Sequence, residues 1–374
     1  MDASVNRIPS SRDERAMLVG LKLSQDDPLK VDYSMNELNL LVKTSGGIII
    51  ETVIIKRKSI DPSTIVGSGH LEKIKETIKE KNIKLLVFDL NSLKPSQVRN
   101  LEEDIKCRVV GRTEIILEIF ARRAKSSEAM IQVELAQLRY ILPRLKGLGG
   151  VLSRLGGGIG TRGPGEKMLE TDKRHIQKRI TILKKKFEKI RSHRAVARKS
   201  RSSSFTGAVV GYTNAGKSTL VNLLAKDDLF VEDRLFATLD SFTRSVFLDQ
   251  GKSVLLTDTV GFIRNLPANL VESFRSTLEE IVHADFLIHV VDINASDIKM
   301  NIHTVRKELI DIDAAQKQEI LFFNKSDTAD EDKIRLIKMN YPDSIIGSAK
   351  NSTGIDLLKN EMMRLFELNI LKRE

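Results

Sequence analysis

Short apolar runs alternate with helical stripes along the first 122 residues of this 374-residue chain. The runs have the length of buried strands, and the segments between them repeat apolar residues at the spacing of a helix face. The strand-like runs are 17–21, 48–50, 85–88 and 109–110. The helix-like segments are 38–42, about 70–80, and one that begins near Pro95. This alternation predicts an α/β subdomain over residues 1–122.

Two longer stripes follow, and both keep the spacing of a coiled coil, with intervals of four, three, four and three residues. The first consists of Ile131, Leu135, Leu138, Leu142 and Leu145. The second consists of Ile176, Ile180, Leu183, Phe187 and Ile190. Each stripe needs an apolar partner, so the pattern predicts an antiparallel helical hairpin over residues 123–200. The alternative is that both helices dock separately on the α/β subdomain.

A glycine-rich segment, residues 147–165, separates the two stripes and contains Arg154 and Arg162. Because loops of this length are uncommon in compact domains and are usually functional, we predict a tip loop that contacts RNA through these arginines. The segment also matches G-x-G-x-x-G. We reject a dinucleotide site there, because the pattern follows a helix rather than a strand.

The chain is organised around residues 211–218, Gly-Tyr-Thr-Asn-Ala-Gly-Lys-Ser, which fit the phosphate-binding pattern G-x-x-x-x-G-K-[S/T]. An apolar run, 208–210, precedes the pattern, and a helical stripe follows it. Glycine lets backbone N–H groups approach phosphate oxygens, and the new helix directs its positive end at them. We predict a P-loop, in which Lys217 bridges the outer phosphates and Ser218 ligates Mg²⁺. A plain glycine turn is the alternative.

Three further motifs come directly after apolar runs, and they identify the nucleotide. Residues 258–261, Asp-Thr-Val-Gly, place a carboxylate where it can hold Mg²⁺ through water and place a glycine N–H near a γ-phosphate. Residues 324–327, Asn-Lys-Ser-Asp, end in a carboxylate that can accept hydrogen bonds from both N–H donors of guanine. Residues 348–350, Ser-Ala-Lys, would close over the base. The order and position of these motifs predict a GTPase domain over residues 201–374.

The loop that senses the γ-phosphate is the remaining part of such a site, and residues 236–240 are the candidate. Thr238 is the predicted switch threonine on Mg²⁺, and Lys217, Thr238 and Gly261 are the predicted catalytic residues. The predicted GTP-binding residues are Gly211, Tyr212, Thr213, Asn214, Ala215, Gly216, Lys217, Ser218, Thr219, Phe236, Ala237, Thr238, Leu239, Asp240, Asp258, Thr259, Val260, Gly261, Asn324, Lys325, Ser326, Asp327, Ser348, Ala349 and Lys350. The predicted metal ligands are Ser218, Thr238 and Asp258, the last through water.

The residue after the glycine of the 258–261 motif is Phe262, whose side chain has no polar atom with which to orient an attacking water. We therefore expect slow intrinsic GTP hydrolysis that a partner accelerates.

The charge of +11 is distributed unevenly and indicates what that partner is. Residues 166–201 hold 14 Lys and Arg against 4 Asp and Glu, whereas residues 202–374 hold 20 against 26. A basic region beside an acidic GTPase domain predicts a polyanionic partner, and we expect nucleic acid. The predicted RNA contacts are Arg154, Arg162, Lys184, Lys185, Lys186 and Arg191. The polar run 198–204 is the expected linker into the GTPase domain.

The composition also bears on location. There is no apolar run of membrane-spanning length and no basic-then-apolar leader, so we expect a cytoplasmic monomer without a membrane span; loose membrane association stays open. The single cysteine, Cys107, excludes an internal disulfide and a cysteine metal cluster.

Several stretches together resemble the HflX family of GTPases, which belong to the translation-factor-related class. They are residues 131–138, 142–145 and 152–166 of the hairpin and residues 211–219, 236–240 and 258–262 of the GTPase domain. The resemblance covers nearly the whole chain. It implies a GTP- and Mg²⁺-dependent factor that binds the large ribosomal subunit and its RNA and splits stalled or idle ribosomes into subunits.

Other functions remain open at this stage. Residues 66–69, Val-Gly-Ser-Gly, start a helix and could seat a phosphate, which would suit an RNA-remodelling NTPase with a second nucleotide site. A glycine turn that merely starts the helix is the simpler interpretation. A ribosome-assembly GTPase and a regulatory switch with a protein partner are the further alternatives.

Overall fold

The computed structural model describes residues 14–152, 164–199, 204–226, 235–236, 242–249, 251–264 and 275–373. The chain divides into two compact units, with the division at Lys189 and Ile190. Each unit contains its own sheet. The predicted domain boundaries at residues 122 and 200 stay predictions.

The first unit contains a four-stranded parallel sheet with the strand order β2-β1-β3-β4. Its strands are β1 (Arg15–Leu23), β2 (Ile48–Arg57), β3 (Leu85–Phe88) and β4 (Arg108–Val110). Its helices are α1 (Pro28–Thr44), α2 (Ser68–Glu80), α3 (Pro95–Ile105) and α4 (Arg112–Arg123). Helices lie between successive parallel strands, as right-handed crossovers require. The predicted α/β character of this region is confirmed.

The core of this sheet forms where strand and helix side chains meet. Met17, Val19 and Phe88 are fully buried and pack against Leu71 and Ile74 of α2. Gly67 is the N-cap of α2 and takes a φ of +76°. This positive φ calls for glycine, because residues with a side chain rarely adopt it.

Two long helices form the hairpin, α5 (Ser127–Leu152) and α6 (Pro164–Lys199); α5 and the part of α6 up to Lys189 belong to the first unit. Their shared core comprises Leu135, Leu138, Ile176 and Leu183, flanked by Ile131, Ile141, Leu142, Leu145 and Ile180. Arg179 donates two hydrogen bonds to Glu134, at 2.6 and 2.9 Å. Glu134 lies 18 residues before the end of α5 and Arg179 lies 15 residues after the start of α6, and these similar distances from the connecting segment are those of an antiparallel hairpin. The predicted hairpin is confirmed.

The extent of the tip loop differs from the prediction. Residues 147–152 continue α5, and α6 already begins at Pro164, so the predicted loop over 147–165 is wrong at both ends. Proline suits the first turn of a helix, because its missing N–H would have no partner inside the helix. Arg154 and Arg162 lie outside the described residues. At the other end of α6, residues 198 and 199 are helical rather than part of a linker.

The second unit contains a six-stranded sheet with the strand order β10-β9-β8-β5-β7-β6. Its strands are β5 (Thr206–Gly211), β6 (Phe242–Phe247), β7 (Ser253–Asp258), β8 (Phe286–Asp292), β9 (Gln318–Asn324) and β10 (Ile345–Ile346). Its helices are α7 (Lys217–Ala225), α8 (Arg275–His283), α9 (Ile298–Asp311), α10 (Glu331–Asn340) and α11 (Ile355–Arg373). Only β6 pairs antiparallel among these described strands.

The sheet of the second unit brings the predicted motifs to one edge. β5, β7, β8 and β9 are parallel neighbours, so their carboxyl ends all lie at the same edge of the sheet. Ligands of open α/β sheets bind at this edge. The fold is therefore the predicted P-loop GTPase architecture. No helix in the described part of the chain combines the length and the apolar character that a membrane crossing requires.

Candidate nucleotide-binding site

The phosphate loop connects a buried central strand to a helix. β5 lies between β8 and β7, and its residues 208–210 are fully buried. Residues 212–216 follow, and α7 begins at Lys217. The first N–H groups of a helix have no partner within it, so the start of α7 directs several donors and its positive end into the loop. The loop therefore has the backbone arrangement that binds phosphate.

Asn324, the first residue of the 324–327 motif, joins three of the predicted motifs. Its amide nitrogen donates to the carbonyl of Ala215 at 2.9 Å, and its amide oxygen accepts from the N–H of Ala349 at 2.8 Å. Gly216 has a φ of +90°, and a Cβ at Gly216 would collide with the Asn324 amide. The glycine at this position is thus required for the base-binding and phosphate-binding loops to touch.

Lys217 lies in the centre of the phosphate loop and is only 6% exposed. Its ammonium group donates to the carbonyls of Gly211 at 3.2 Å and Tyr212 at 2.9 Å. Burial lowers the pKa of Lys217 to about 8, and the nearby Asp258 carboxylate opposes that shift only in part. A buried ammonium held by neutral carbonyls gains most from an anion, so this position suits the phosphates of a nucleotide.

Ser218 and Asp258 meet beside Lys217. The Ser218 hydroxyl donates to Asp258 Oδ2 at 2.6 Å, and Asp258 is buried at the end of β7. A hydroxyl and a carboxylate are the hard oxygen donors that Mg²⁺ prefers. Their closeness brings two of the three predicted metal ligands together. The residues therefore fit a magnesium ion; the third predicted ligand, Thr238, lies outside the described residues.

Backbone hydrogen bonds join the segment that carries the 258–261 motif to the phosphate loop. The N–H of Phe262 donates to Gly211 O at 3.1 Å, and the N–H of Thr213 donates to Phe262 O at 2.8 Å. The Thr259 hydroxyl donates to Val209 O at 2.6 Å, which ties the same segment to β5. A Cβ on Gly261 would stand 2.8 Å from Lys217 Nζ. The glycine N–H and the lysine are thus close enough to act on the same phosphate.

The base-binding side of the site centres on Asp327. Ser348 donates its hydroxyl hydrogen to Asp327 Oδ1 at 2.6 Å, and the N–H of Ser326 donates to Gly347 O at 3.1 Å. Asp327 is exposed, whereas Ser348 is completely buried. The buried serine fixes the orientation of an accessible carboxylate, which is the arrangement that reading a guanine edge requires.

Three family models match consecutive parts of the chain. They are the GTP-binding GTPase N-terminal model over residues 32–121, the GTP-binding GTPase middle region over 123–201, and the 50S ribosome-binding GTPase model over 206–325. The GTPase HflX of Caldanaerobacter subterraneus subsp. tengcongensis is 45% identical over 353 residues, which is 94% of this chain and 80% of that protein.

The chain belongs to the HflX family of GTPases. The Escherichia coli (strain K12) GTPase HflX is 39% identical over 349 residues, covering 92% of this chain and 81% of that protein. Among solved structures, that of SsGBP with GDP is 26% identical, has a TM-score of 0.53, and covers 94% of this chain and 98% of that one. The protein is therefore a GTP-binding enzyme that hydrolyses GTP.

This HflX protein has two site residues that the sequence reasoning missed. Asp292 ends β8, and its Oδ2 lies 2.8 Å from the Lys325 ammonium. Asn294 donates from its amide to Lys325 O at 3.2 Å and to the Thr328 hydroxyl at 2.9 Å. Lys325 has a φ of +66°, which costs energy in a residue with a side chain. A sequence pattern could have indicated Asp292, because this residue ends a mostly apolar strand, as Asp258 and Asn324 do.

The structure describes only some of the other predicted residues, namely those of the 236–240 loop and the RNA contacts. Phe236 is described and buried, but Ala237, Thr238, Leu239 and Asp240 lie outside the described residues. Of the predicted RNA contacts, Lys184, Lys185 and Lys186 are exposed on α6. Arg191 is also exposed, and it forms an ion pair with Glu279 of α8. Sequence alone could not show this ion pair, because the partner is 88 positions away.

Proposed function

We propose that this HflX protein binds the large ribosomal subunit and uses GTP to split stalled or idle ribosomes into subunits. The observation that carries the proposal is the match of residues 206–325 to the 50S ribosome-binding GTPase model, together with HflX membership over 94% of the chain. The family therefore supplies the partner, and the site described above supplies the nucleotide chemistry.

The hairpin supports an RNA partner. α6 packs its apolar residues, Ile176 and Leu183, against α5, which leaves its other faces to carry charge. Lys184, Lys185 and Lys186 are all exposed there. Lysines that neutralise phosphates release counterions, so binding through this helix should weaken steeply with salt. We propose that these lysines contact ribosomal RNA, and that Arg154 and Arg162 extend the contact at the hairpin tip.

The site supports a Mg²⁺-assisted reaction that is slow in the free protein. Mg²⁺ would be held by the Ser218 hydroxyl, by Thr238 and, through water, by Asp258, and it would neutralise charge on the outer phosphates. Phe262 is only 6% exposed and apolar, so its side chain cannot orient water. We propose that the ribosome orders the segments around Thr238 and Gly261 and raises the hydrolysis rate at least tenfold.

Sedimentation of the protein with purified ribosomal subunits tests the partner. In the presence of GTP or a non-hydrolysable GTP analogue, we expect the protein to sediment with the large subunit, and to do so less in GDP. The amount bound should fall steeply as salt is raised. Equal sedimentation in all nucleotide states, or binding only to the small subunit, would contradict the proposal.

A pair of triple variants tests the role of the basic helix. Changing Lys184, Lys185 and Lys186 to alanine should weaken binding to the large subunit and reduce its salt dependence. The matched control removes the same charge from exposed lysines of the GTPase unit, Lys299, Lys333 and Lys338. We expect the control to bind like the wild type. Equal loss in both variants would mean that net charge, rather than the basic helix, drives binding.

A further inference from the structure

Among the residues that the structure describes, the phosphate loop contains a buried threonine hydroxyl without a hydrogen-bond partner. Thr213 is 6% exposed, and its Oγ1 has no hydrogen-bond partner among the residues that the structure describes. Buried side-chain hydroxyls in proteins are nearly always hydrogen-bonded, and leaving one unpaired costs about 1–3 kcal/mol. A phosphate or water bound in the loop would supply the missing partner.

The surroundings of Thr213 identify that group as the outer part of the nucleotide. A Cβ on Gly261 would stand 3.0 Å from the Thr213 methyl carbon and 2.8 Å from Lys217 Nζ, so the three residues meet at one point. The backbone of Thr213 is fixed there by its hydrogen bond to Phe262 O at 2.8 Å. Gly261 and Lys217 are the residues expected to contact the terminal phosphate, and the Thr213 side chain lies next to Gly261.

Neighbouring threonines of the same unit differ from Thr213 in this respect. The Thr259 hydroxyl donates to Val209 O at 2.6 Å, and the hydroxyls of Thr243 and Thr257 are hydrogen-bonded to each other at 2.9 Å. Each of these hydroxyls has a structural role that explains it. Thr213, by contrast, lies next to the proposed position of the γ-phosphate, where a polar group can act on GTP hydrolysis.

Phe262 follows Gly261, at the position where other GTPases have a polar side chain that orients the attacking water. Phe262 is buried, and its backbone is bonded to both Gly211 and Thr213, so it contributes an apolar wall. A threonine hydroxyl can donate one hydrogen bond and accept another at the same time. It can therefore hold a water and a phosphate oxygen in a fixed relative position, which is the part of catalysis that Phe262 cannot supply.

We infer that Thr213 is a catalytic residue of GTP hydrolysis, whose hydroxyl donates to a γ-phosphate oxygen and accepts a hydrogen bond from the attacking water. The water oxygen bonds to the γ-phosphorus while the bond from that phosphorus to the β–γ bridging oxygen breaks. GDP leaves with the electron pair, and the water proton passes to the released phosphate. The inference rests on the proposed position of the terminal phosphate beside Gly261 and Lys217.

Replacing Thr213 with valine removes the hydroxyl and keeps the volume. We expect the single-turnover rate of GTP hydrolysis by Thr213→Val to fall at least tenfold, while its affinity for GDP stays within twofold of the wild type. Thr213→Ser retains a hydroxyl, and its rate should stay within threefold. The retained GDP affinity shows that the variants fold and that the loop still binds phosphate.

The control is Thr257→Val, which makes the same change at a buried threonine of β7 whose hydroxyl is bonded to Thr243. Its hydrolysis rate should match that of the wild type. A fall of less than tenfold in Thr213→Val, a parallel loss of GDP affinity, or an equal fall in Thr213→Ser would overturn the inference. If Lys217→Ala still binds GTP normally, the phosphate site itself is misassigned, which is a separate failure.

Discussion

The amide of Asn324 donates to the carbonyl of Ala215 at 2.9 Å, so the loop that recognises the base is bonded directly to the loop that holds the phosphates. Asn324 is only 2% exposed and also accepts from Ala349. One side chain therefore sets the distance between the two halves of the nucleotide site. A change at Asn324 should affect recognition of the base and of the phosphates together.

Asn324→Ala should lower the affinity for GDP and GTP at least tenfold. The substitution removes two hydrogen bonds and leaves the Ala215 carbonyl and the Ala349 N–H buried without them, at a cost of about 1–3 kcal/mol each. Titration with a fluorescent guanine nucleotide measures the change. Asn340→Ala is the matched control, because that asparagine bonds only locally to Leu336 O near the end of α10. Affinity within twofold of the wild type in Asn324→Ala would contradict the role assigned to this bond.

Asp327→Asn should exchange the preference for guanine for a preference for xanthine. The carboxylate accepts hydrogen bonds from guanine donors, whereas an amide nitrogen can donate to the carbonyl that xanthine carries instead. Competition between GTP and XTP for the site measures the preference. A variant that still prefers GTP would show that Asp327 does not recognise the base.

Lys217 should make nucleotide binding sensitive to pH. Its pKa is about 8 in the free protein, and bound phosphates favour the charged form, so the pKa rises when nucleotide binds. Below about pH 8 the ammonium is already charged and affinity should be constant. Above about pH 8 binding must take up a proton, so the Kd should rise toward tenfold per pH unit.

Isothermal titration of GDP in buffers of different ionisation enthalpy checks the proton uptake at about pH 8.5. Asp327→Asn retains Lys217 and should show the same uptake with a xanthine nucleotide, which separates the lysine from titration of the base. A constant Kd between about pH 7 and 9, with no proton uptake, would mean that the lysine stays fully charged in the free protein.

Asp292→Asn should weaken the binding of GTP and GDP equally, by about fivefold, and leave the hydrolysis rate at saturating GTP unchanged. The carboxylate holds the Lys325 ammonium at 2.8 Å, and both side chains are partly exposed, so about 1 kcal/mol is the expected loss. Asp297→Asn is the control, because the Asp297 carboxylate instead accepts from Met300 N at the start of α9. A lower rate at saturation would show that Asp292 acts on the chemical step.

The sequence could predict those parts of the site that depend on local pattern. Lys217, Asp258 and Asn324 each follow an apolar run, and parallel strands place their carboxyl ends at one edge, so their convergence could be anticipated. The bonds from Asn324 to Ala215 and from Asp292 to Lys325 could not. They join residues far apart in the chain. Asp292 ends β8 and Lys325 follows the neighbouring strand β9. Asn324 ends β9, whereas Ala215 follows β5, which β8 separates from β9. Only the order and register of the strands bring these pairs within hydrogen-bonding distance.

Local helix propensity also predicted the wrong end for α5. Gly147, Gly149 and Gly150 indicated a loop, because each glycine costs about 1 kcal/mol in a helix relative to alanine. The structure continues α5 through them to Leu152, since a long helix already formed by tertiary packing can absorb such a cost. The pairing of Arg191 with Glu279 is a similar case, in which a distant partner decides what a charged residue does.

The time course of light scattering from intact ribosomes, mixed with this protein and nucleotide, tests the central claim most directly. Scattering falls when ribosomes separate into subunits. We expect a fall with wild-type protein and GTP, and only a small change with GDP or with Lys217→Ala, which lacks the charge that holds the outer phosphates. Scattering that stays constant with wild-type protein and GTP, under conditions where the protein sediments with the large subunit, would contradict ribosome splitting.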